Sequence, residues 1–358
     1  MDDAAPPLVD DAVLDDLRRR LRHYRSVKTT GTDGWDRGTE PGYLADLLAT
    51  WAEDYDWRPH EARIRALPWA RTSRARVVHQ RAADPDATAV VLLHGWPDSV
   101  LRYERVLPLL TDVHVVVPAL PGYPFAAPLP ERDLSSADMA EVVAEAMAEL
   151  GHGRYVVSGG DIGRGVATAL AANHPDRVAA LHVTDVGRTA ASTGDPAALT
   201  DEERDHRERV ERWQATEGGY LHEQATKPHT LAVALGDSPA GLAAWIVEKL
   251  RSWSDCDGDV ESAFPRNDLL TWITAYWVTG AIGTSFAPYA KPSPLIDRID
   301  VPTVVSEFPG EILHAPRSVA ERLFDLRAWE QGTAGGHFAA WEQPAEFAGF
   351  VRRAVALS

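Results

Sequence analysis

Between residues 74 and 186 short apolar runs alternate with segments of helical periodicity, and this alternation limits the possible folds more than any other feature of the chain. Arg76–Gln80, Ala89–Leu93 and 113–117 read as strands, the second following the turn-like Asp84-Pro85-Asp86. Ser135 opens a helix with Asp138 three residues on, a spacing at which each side chain can satisfy the other's backbone donor. Met139, Val142, Val143, Ala146 and Leu150 then follow along one face. The run 155–158 is the next strand, 163–173 a helix, and Val178–Val183 a further buried strand. Strands separated by helices are predicted to form a mostly parallel sheet covered on both faces, the α/β class.

The flanks read differently. Residues 9–70 are predicted to be helical, with no strand expected. Asp10 caps a segment in which Val13, Leu14, Leu17 and Leu21 recur at helical spacing, 43–57 repeats apolar residues similarly, and 57–67 leads toward the first strand. From 187 to 295 the strand signal stops. Helical periodicity mixed with acidic and aromatic residues, as in 242–253 and 269–277, predicts an inserted helical cap, and the charged stretch 201–212 reads as a solvated helix face. The sheet resumes with 301–306, a helix near 318–324, a strand at 326–329 and a closing helix from Pro344. The predicted organisation is a lead-in at 1–73, a core formed by 74–186 and 296–358, and a cap at 187–295.

Composition excludes several partners. Lys and Arg number 36 against 53 Asp and Glu, a net charge of -17 that argues against a nucleic-acid partner, whose phosphates need a basic surface to neutralise them. The single cysteine, Cys256, can form neither an internal disulfide nor a multi-thiolate metal site. Met1-Asp2-Asp3 opens acidic where a secretion signal is basic, and no apolar run approaches the length of a membrane span. A soluble, cytoplasmic protein with no membrane partner is expected, and a homodimer is left open. The 12 Trp are read mainly as core and cover residues.

Chemistry concentrates in four places. A strand ending in Ser158-Gly159-Gly160, then Asp161-Ile162-Gly163 and a helix, has the layout of a strained turn that presents a nucleophile, here Asp161. Glycines suit such a turn because strand and helix backbones approach closely; the competing reading of Asp161 is a helix cap. His94-Gly95-Trp96-Pro97 directly follows a strand, where the backbone N–H of Trp96, together with that of Ile162, can form an oxyanion hole. Gly335-Gly336-His337-Phe338 follows the last strand and offers His337 as a base, ahead of His94 and His314. Glu311, between nucleophile and histidine in chain order, is the candidate orienting carboxylate, ahead of Glu307 and Asp325. Ser158 precedes the turn and an aspartate stands where a serine esterase needs its serine, which excludes that class.

With these motifs, the sequence resembles the microsomal-type and juvenile-hormone epoxide hydrolases of the α/β-hydrolase fold. The likeness spans most of the chain: Tyr55-Asp56-Trp57-Arg58, His94-Gly95-Trp96-Pro97, 118–123, the Gly-Gly-Asp turn, Thr226-Lys227-Pro228, Tyr276-Trp277, 308–313 and 335–342. The resemblance implies a triad of Asp161, Glu311 and His337. It also implies two cap tyrosines, matching Tyr220 and Tyr289, that hold the epoxide oxygen; Tyr276 is a rival for the second. Two departures stand out. Ile162 replaces the family's usual Trp after the nucleophile, and Asp98 and Pro124 stand where glycines are common.

The expected reaction needs no cofactor and no metal. Asp161 attacks an epoxide carbon to give an ester, the tyrosines meet the developing alkoxide, and His337 activates a water that hydrolyses the ester to a vicinal diol. The expected partners are a small-molecule epoxide and water. The competing activity is haloalkane or haloacid dehalogenation, against which the absence of Trp at 162 counts; Arg164, which could hold a carboxylate, reads as a helix-face residue. A non-catalytic ligand-binding protein on the same scaffold is the alternative of another class.

Overall fold

In the computed structural model, which describes residues 4–31, 34–128, 133–187 and 199–358, eight strands form one sheet in the order β1-β2-β4-β3-β5-β6-β7-β8. These are β1 (Trp69–Arg71), β2 (Arg76–Gln80), β3 (Ala89–Leu93), β4 (His114–Pro118), β5 (Tyr155–Gly159), β6 (Val178–Val183), β7 (Ile299–Glu307) and β8 (Phe324–Gln331). From β4 through β8 every neighbouring pair is parallel, while β1 pairs antiparallel with β2 and β2 with β4. The mostly parallel α/β sheet is therefore as expected. Every residue of β3, β4, β5 and β6 is buried, which explains why these strands are continuous apolar runs without alternation.

One expectation is corrected. A strand was not anticipated before residue 70, yet Trp69 pairs with Val78 and Ala70 with Val77. Three residues directly after a helix carry no period that separates strand from coil; the antiparallel partner across the turn at 72–75 stabilises them.

Local signals elsewhere have their physical counterparts. Asp10 accepts the Ala12 N–H at the start of Asp11–Arg22, which buries Leu14, Leu17 and Leu21 while Val13 stays exposed. Ser135 and Asp138 form the reciprocal capping box of Ser136–Glu149, whose buried face carries Met139, Val142, Val143 and Ala146. The closing helix is Pro344–Val355.

Among the described residues the insertion between β6 and β7 is mainly helical, including Asp201–Thr216, Gly219–Thr226, Pro239–Trp253 and Arg266–Thr279. Its expected start at 187 adjoins residues 188–198, which lie outside the described residues, as do Met1, Asp2 and Asp3. The lead-in helices Pro41–Glu53 and Trp57–Arg65 also clasp this cap. Trp51 donates its indole N–H to Thr274 Oγ1 (2.9 Å), and the Tyr55 and Thr271 hydroxyls hydrogen-bond (3.0 Å). Among the described residues no single helix is long and apolar enough to cross a membrane.

Candidate active site

The carboxyl ends of the parallel strands, where ligands bind in open α/β sheets, gather Trp96, Asp161, Glu311 and His337. The loop after β3 carries Trp96, the turn after β5 carries Asp161, and the loops after β7 and β8 carry Glu311 and His337. Asp161 adopts φ 54 and ψ -128, a positive φ that costs a non-glycine residue about 1–3 kcal/mol and projects its side chain out of the turn. Its side chain makes no cap hydrogen bond to the helix Ile162–Asn173 behind it, so the helix-cap reading fails. The close approach of strand and helix accounts for the glycines: a Cβ on Gly163 would lie 2.1 Å from the Leu93 carbonyl oxygen, and one on Gly159 2.5 Å from that of Gly163.

The Asp161 carboxylate is held asymmetrically. Oδ1 accepts the Trp96 N–H at 2.8 Å, whereas Oδ2 faces His337 Nε2 at 3.7 Å. His337 Nδ1 lies 2.8 Å from Glu311 Oε1; with Glu311 ionised this ring nitrogen carries the proton, leaving Nε2 toward Asp161. Glu311 also accepts the Ile312 N–H at 2.8 Å. Burial opposes the charged form of His337, but the charge and hydrogen bond of Glu311 and the charge of Asp161 outweigh it and push the imidazole up to about 9. Ile162, the first residue of its helix, has an N–H among the first-turn donors that no helix carbonyl takes.

The Trp96 side chain does a second job. Its fully buried ring stacks on Tyr220 (centroids 5.5 Å apart, planes 9° apart) and meets the edge of Tyr289 (6.2 Å, 83°). The residue whose backbone holds Asp161 thus also seats both cap tyrosines, whose rings lie 6.3 Å apart. Both line a cavity of about 110 Å³ with Asp161, Glu311 and His337, walled by Ile162, Trp213, Leu313 and Ala315. Tyr276 is elsewhere: fully buried, it donates its hydroxyl to the Asp98 carbonyl (3.0 Å) and does not line this cavity.

Several supporting residues had no clear sequence signal. Asp98, noted only as a departure, accepts the Gly95 N–H (2.8 Å) and pairs with Arg102 (2.5 Å); Arg102 in turn donates to the His337 carbonyl (2.6 Å). Burial disfavours the Asp98 charge, but Arg102 and His94 hold its carboxyl below the usual range. This fully buried pair ties the loop carrying Trp96 to the loop carrying His337. The Asp161 N–H donates to Asp185 (2.9 Å), which also binds Arg164 (2.7 Å); Arg164 therefore reaches the cavity, but with its charge matched. Trp253 accepts the His337 N–H on its carbonyl (2.8 Å) and packs its ring against the imidazole.

The residues set aside lie outside the constellation. His94 accepts the Leu120 N–H, His314 pairs with Glu307, and Asp325 pairs with Arg327. Ser158 is hydrogen-bonded to the buried His182 beneath the turn.

A parallel sheet with an acid on the turn after its central strand and a histidine on its last loop defines an α/β hydrolase, and the family model for that fold matches residues 88–305. The model for the epoxide hydrolase N terminus matches residues 6–103. A Stigmatella aurantiaca protein assigned to the epoxide hydrolases is 36% identical over 95% of this chain and 81% of its own length. Epoxide hydrolase 1 of Oryctolagus cuniculus is 29% identical over 96% of this chain and 88% of its own. Among solved structures, Aspergillus niger epoxide hydrolase superposes with a TM-score of 0.87 at 29% identity, covering 98% of this chain and 95% of that one. The juvenile hormone epoxide hydrolase of the silkworm Bombyx mori gives 0.88 at 26%, covering 98% and 93%. The chain belongs to the epoxide hydrolase family.

Proposed function

We propose that this enzyme converts an epoxide with an apolar substituent to a vicinal diol through an ester on Asp161. The observation that carries the reading is the asymmetric setting of the Asp161 carboxylate, one oxygen on the Trp96 N–H and the other toward His337, beneath Tyr220 and Tyr289.

Oδ2, free of the backbone donor, forms the bond to an epoxide carbon as that carbon's bond to oxygen breaks. Tyr220 and Tyr289 donate to the developing alkoxide, and one of them supplies its proton. Oδ1 is now the ester carbonyl oxygen, already on the Trp96 N–H. Water adds to the Asp161 carbonyl carbon and gives a proton to His337 Nε2; the oxyanion on Oδ1 is held by the N–H groups of Trp96 and Ile162. Collapse expels the diol, which takes the proton from His337 and keeps Oδ2 as one of its hydroxyl oxygens. The second water proton leaves the regenerated carboxyl and restores the tyrosine through solvent.

Ester formation removes the negative charge of Asp161, one of the charges that keeps His337 protonated. A larger fraction of the histidine is therefore neutral, and able to accept a proton, at the step that needs a base. Walls of Ile162, Trp213, Leu313 and Ala315 favour an apolar substituent. The test is a rapid quench of the His337→Gln variant with an aryl epoxide: protein heavier by one substrate mass, with the adduct on Asp161, supports the reading, and unmodified Asp161 refutes it.

A further inference from the structure

Lys249 is a buried cation that the reaction above leaves unused. It lies on Pro239–Trp253 with only 5% of its surface exposed, and its Nζ stands 4.8 Å from the centre of the Tyr220 ring and 5.7 Å from that of Trp253. Trp96 is stacked parallel on the same ring, so the phenol is in contact with both an indole and a cation. Its counter-ion, Glu248 at 2.7 Å, is the more exposed partner, with 23% of its side chain accessible.

The structure assigns Lys249, we propose, as a positioning residue that strengthens Tyr220 as proton donor to the epoxide oxygen. The inference rests on the proposed reaction and takes Tyr220, of the two tyrosines, as the one whose proton is transferred. A cation over an aromatic face is attracted to the electrons of the ring, and more strongly as the ring gains negative charge. As Tyr220 releases its proton, charge flows into the ring beneath Lys249, so the contact tightens in the transition state and stabilises it selectively.

The other titratable groups around Tyr220 come from several elements. His222 and Glu223 are its neighbours on its own helix. Asp161, Glu311 and His337 line the same cavity from the core, as does His206 from Asp201–Thr216, and Arg164 is matched by Asp185. Lys249 is the cation placed over the Tyr220 ring by the cap helix Pro239–Trp253.

Ester formation with styrene oxide, followed by rapid quench across pH, tests the assignment. Lys249→Met slows this step about tenfold and moves its alkaline fall-off to higher pH, whereas Lys249→Arg restores most of the rate. Glu248→Gln, which removes the counter-charge, moves the fall-off to lower pH without slowing the step. In a Tyr220→Phe background, adding Lys249→Met changes nothing further. An equal slowing in both backgrounds, or an unmoved fall-off, overturns the proposal. Ester formation at full rate in Tyr220→Phe alone overturns the donor role of Tyr220 and this proposal with it.

Discussion

The imidazole of His337 faces the carboxylate of Asp161 across 3.7 Å while its other nitrogen is committed to Glu311 at 2.8 Å. In the proposed mechanism these are base and nucleophile, and the two half-reactions should separate on mutation. His337→Gln is expected to form the ester at near-normal rate and to hydrolyse it about 100- to 10,000-fold more slowly. Single-turnover kinetics check this; equal loss in both steps contradicts it.

The pH dependence follows from the charges around the histidine. In the proposed mechanism His337 must be neutral to accept a proton, so hydrolysis is expected to rise with pH through the titration of this imidazole, which Glu311 and Asp161 push up to about 9 in the free enzyme. Because the ester has lost the Asp161 charge that raises this value, the midpoint for ester hydrolysis is expected below that for the free enzyme. Arg102 lowers the value, so Arg102→Met is expected to move both midpoints upward. Proton NMR titration of His337 and the pH profile of single-turnover hydrolysis measure the two.

Asp98 and Arg102 are fully buried, and removing either leaves the other as an unpaired charge. Asp98→Asn or Arg102→Met is expected to cost about 3–5 kcal/mol of stability, with the double variant less damaged than the sum. Denaturant unfolding of the cycle decides the point, and strict additivity contradicts the coupling.

The three candidate tyrosines should divide two and one. Tyr220→Phe and Tyr289→Phe are each expected to slow ester formation about 100-fold or more, as loss of a donor to developing charge does. Tyr276→Phe removes a hydroxyl bound to the Asp98 carbonyl and is expected to cost about 1 kcal/mol of stability while leaving ring opening nearly intact. Rapid-quench rates for the three variants separate the roles.

What was legible in the sequence is what is encoded locally. The glycine-flanked turn at Asp161, the capping box of Ser135 and Asp138, and the loop carrying His337 each lie within a few residues, and the parallel core followed from its apolar runs. The strand Trp69–Arg71 was not legible, because three residues show no period and take their conformation from a partner strand. Asp98 looked like a mere departure in a loop because its meaning lies in Arg102 and, through it, in His337, 235 positions beyond Arg102. Trp253 and Lys249 were invisible for the same reason: the cap helix brings them to His337 and Tyr220 from a distant part of the chain. That Tyr289 lines the cavity and Tyr276 does not was likewise hidden, because the cavity forms only when the distant helices fold together.

The most direct measurement is one turnover in oxygen-18 water, with the enzyme in excess over the epoxide, followed by mass analysis of the Asp161 peptide and of the diol. Attack by Asp161 and hydrolysis at its carbonyl carbon predict label in the Asp161 carboxylate and an unlabelled diol, because the first diol carries away the original Oδ2. Label in the diol and none in Asp161 would mean that water attacks the epoxide directly and would contradict the covalent account.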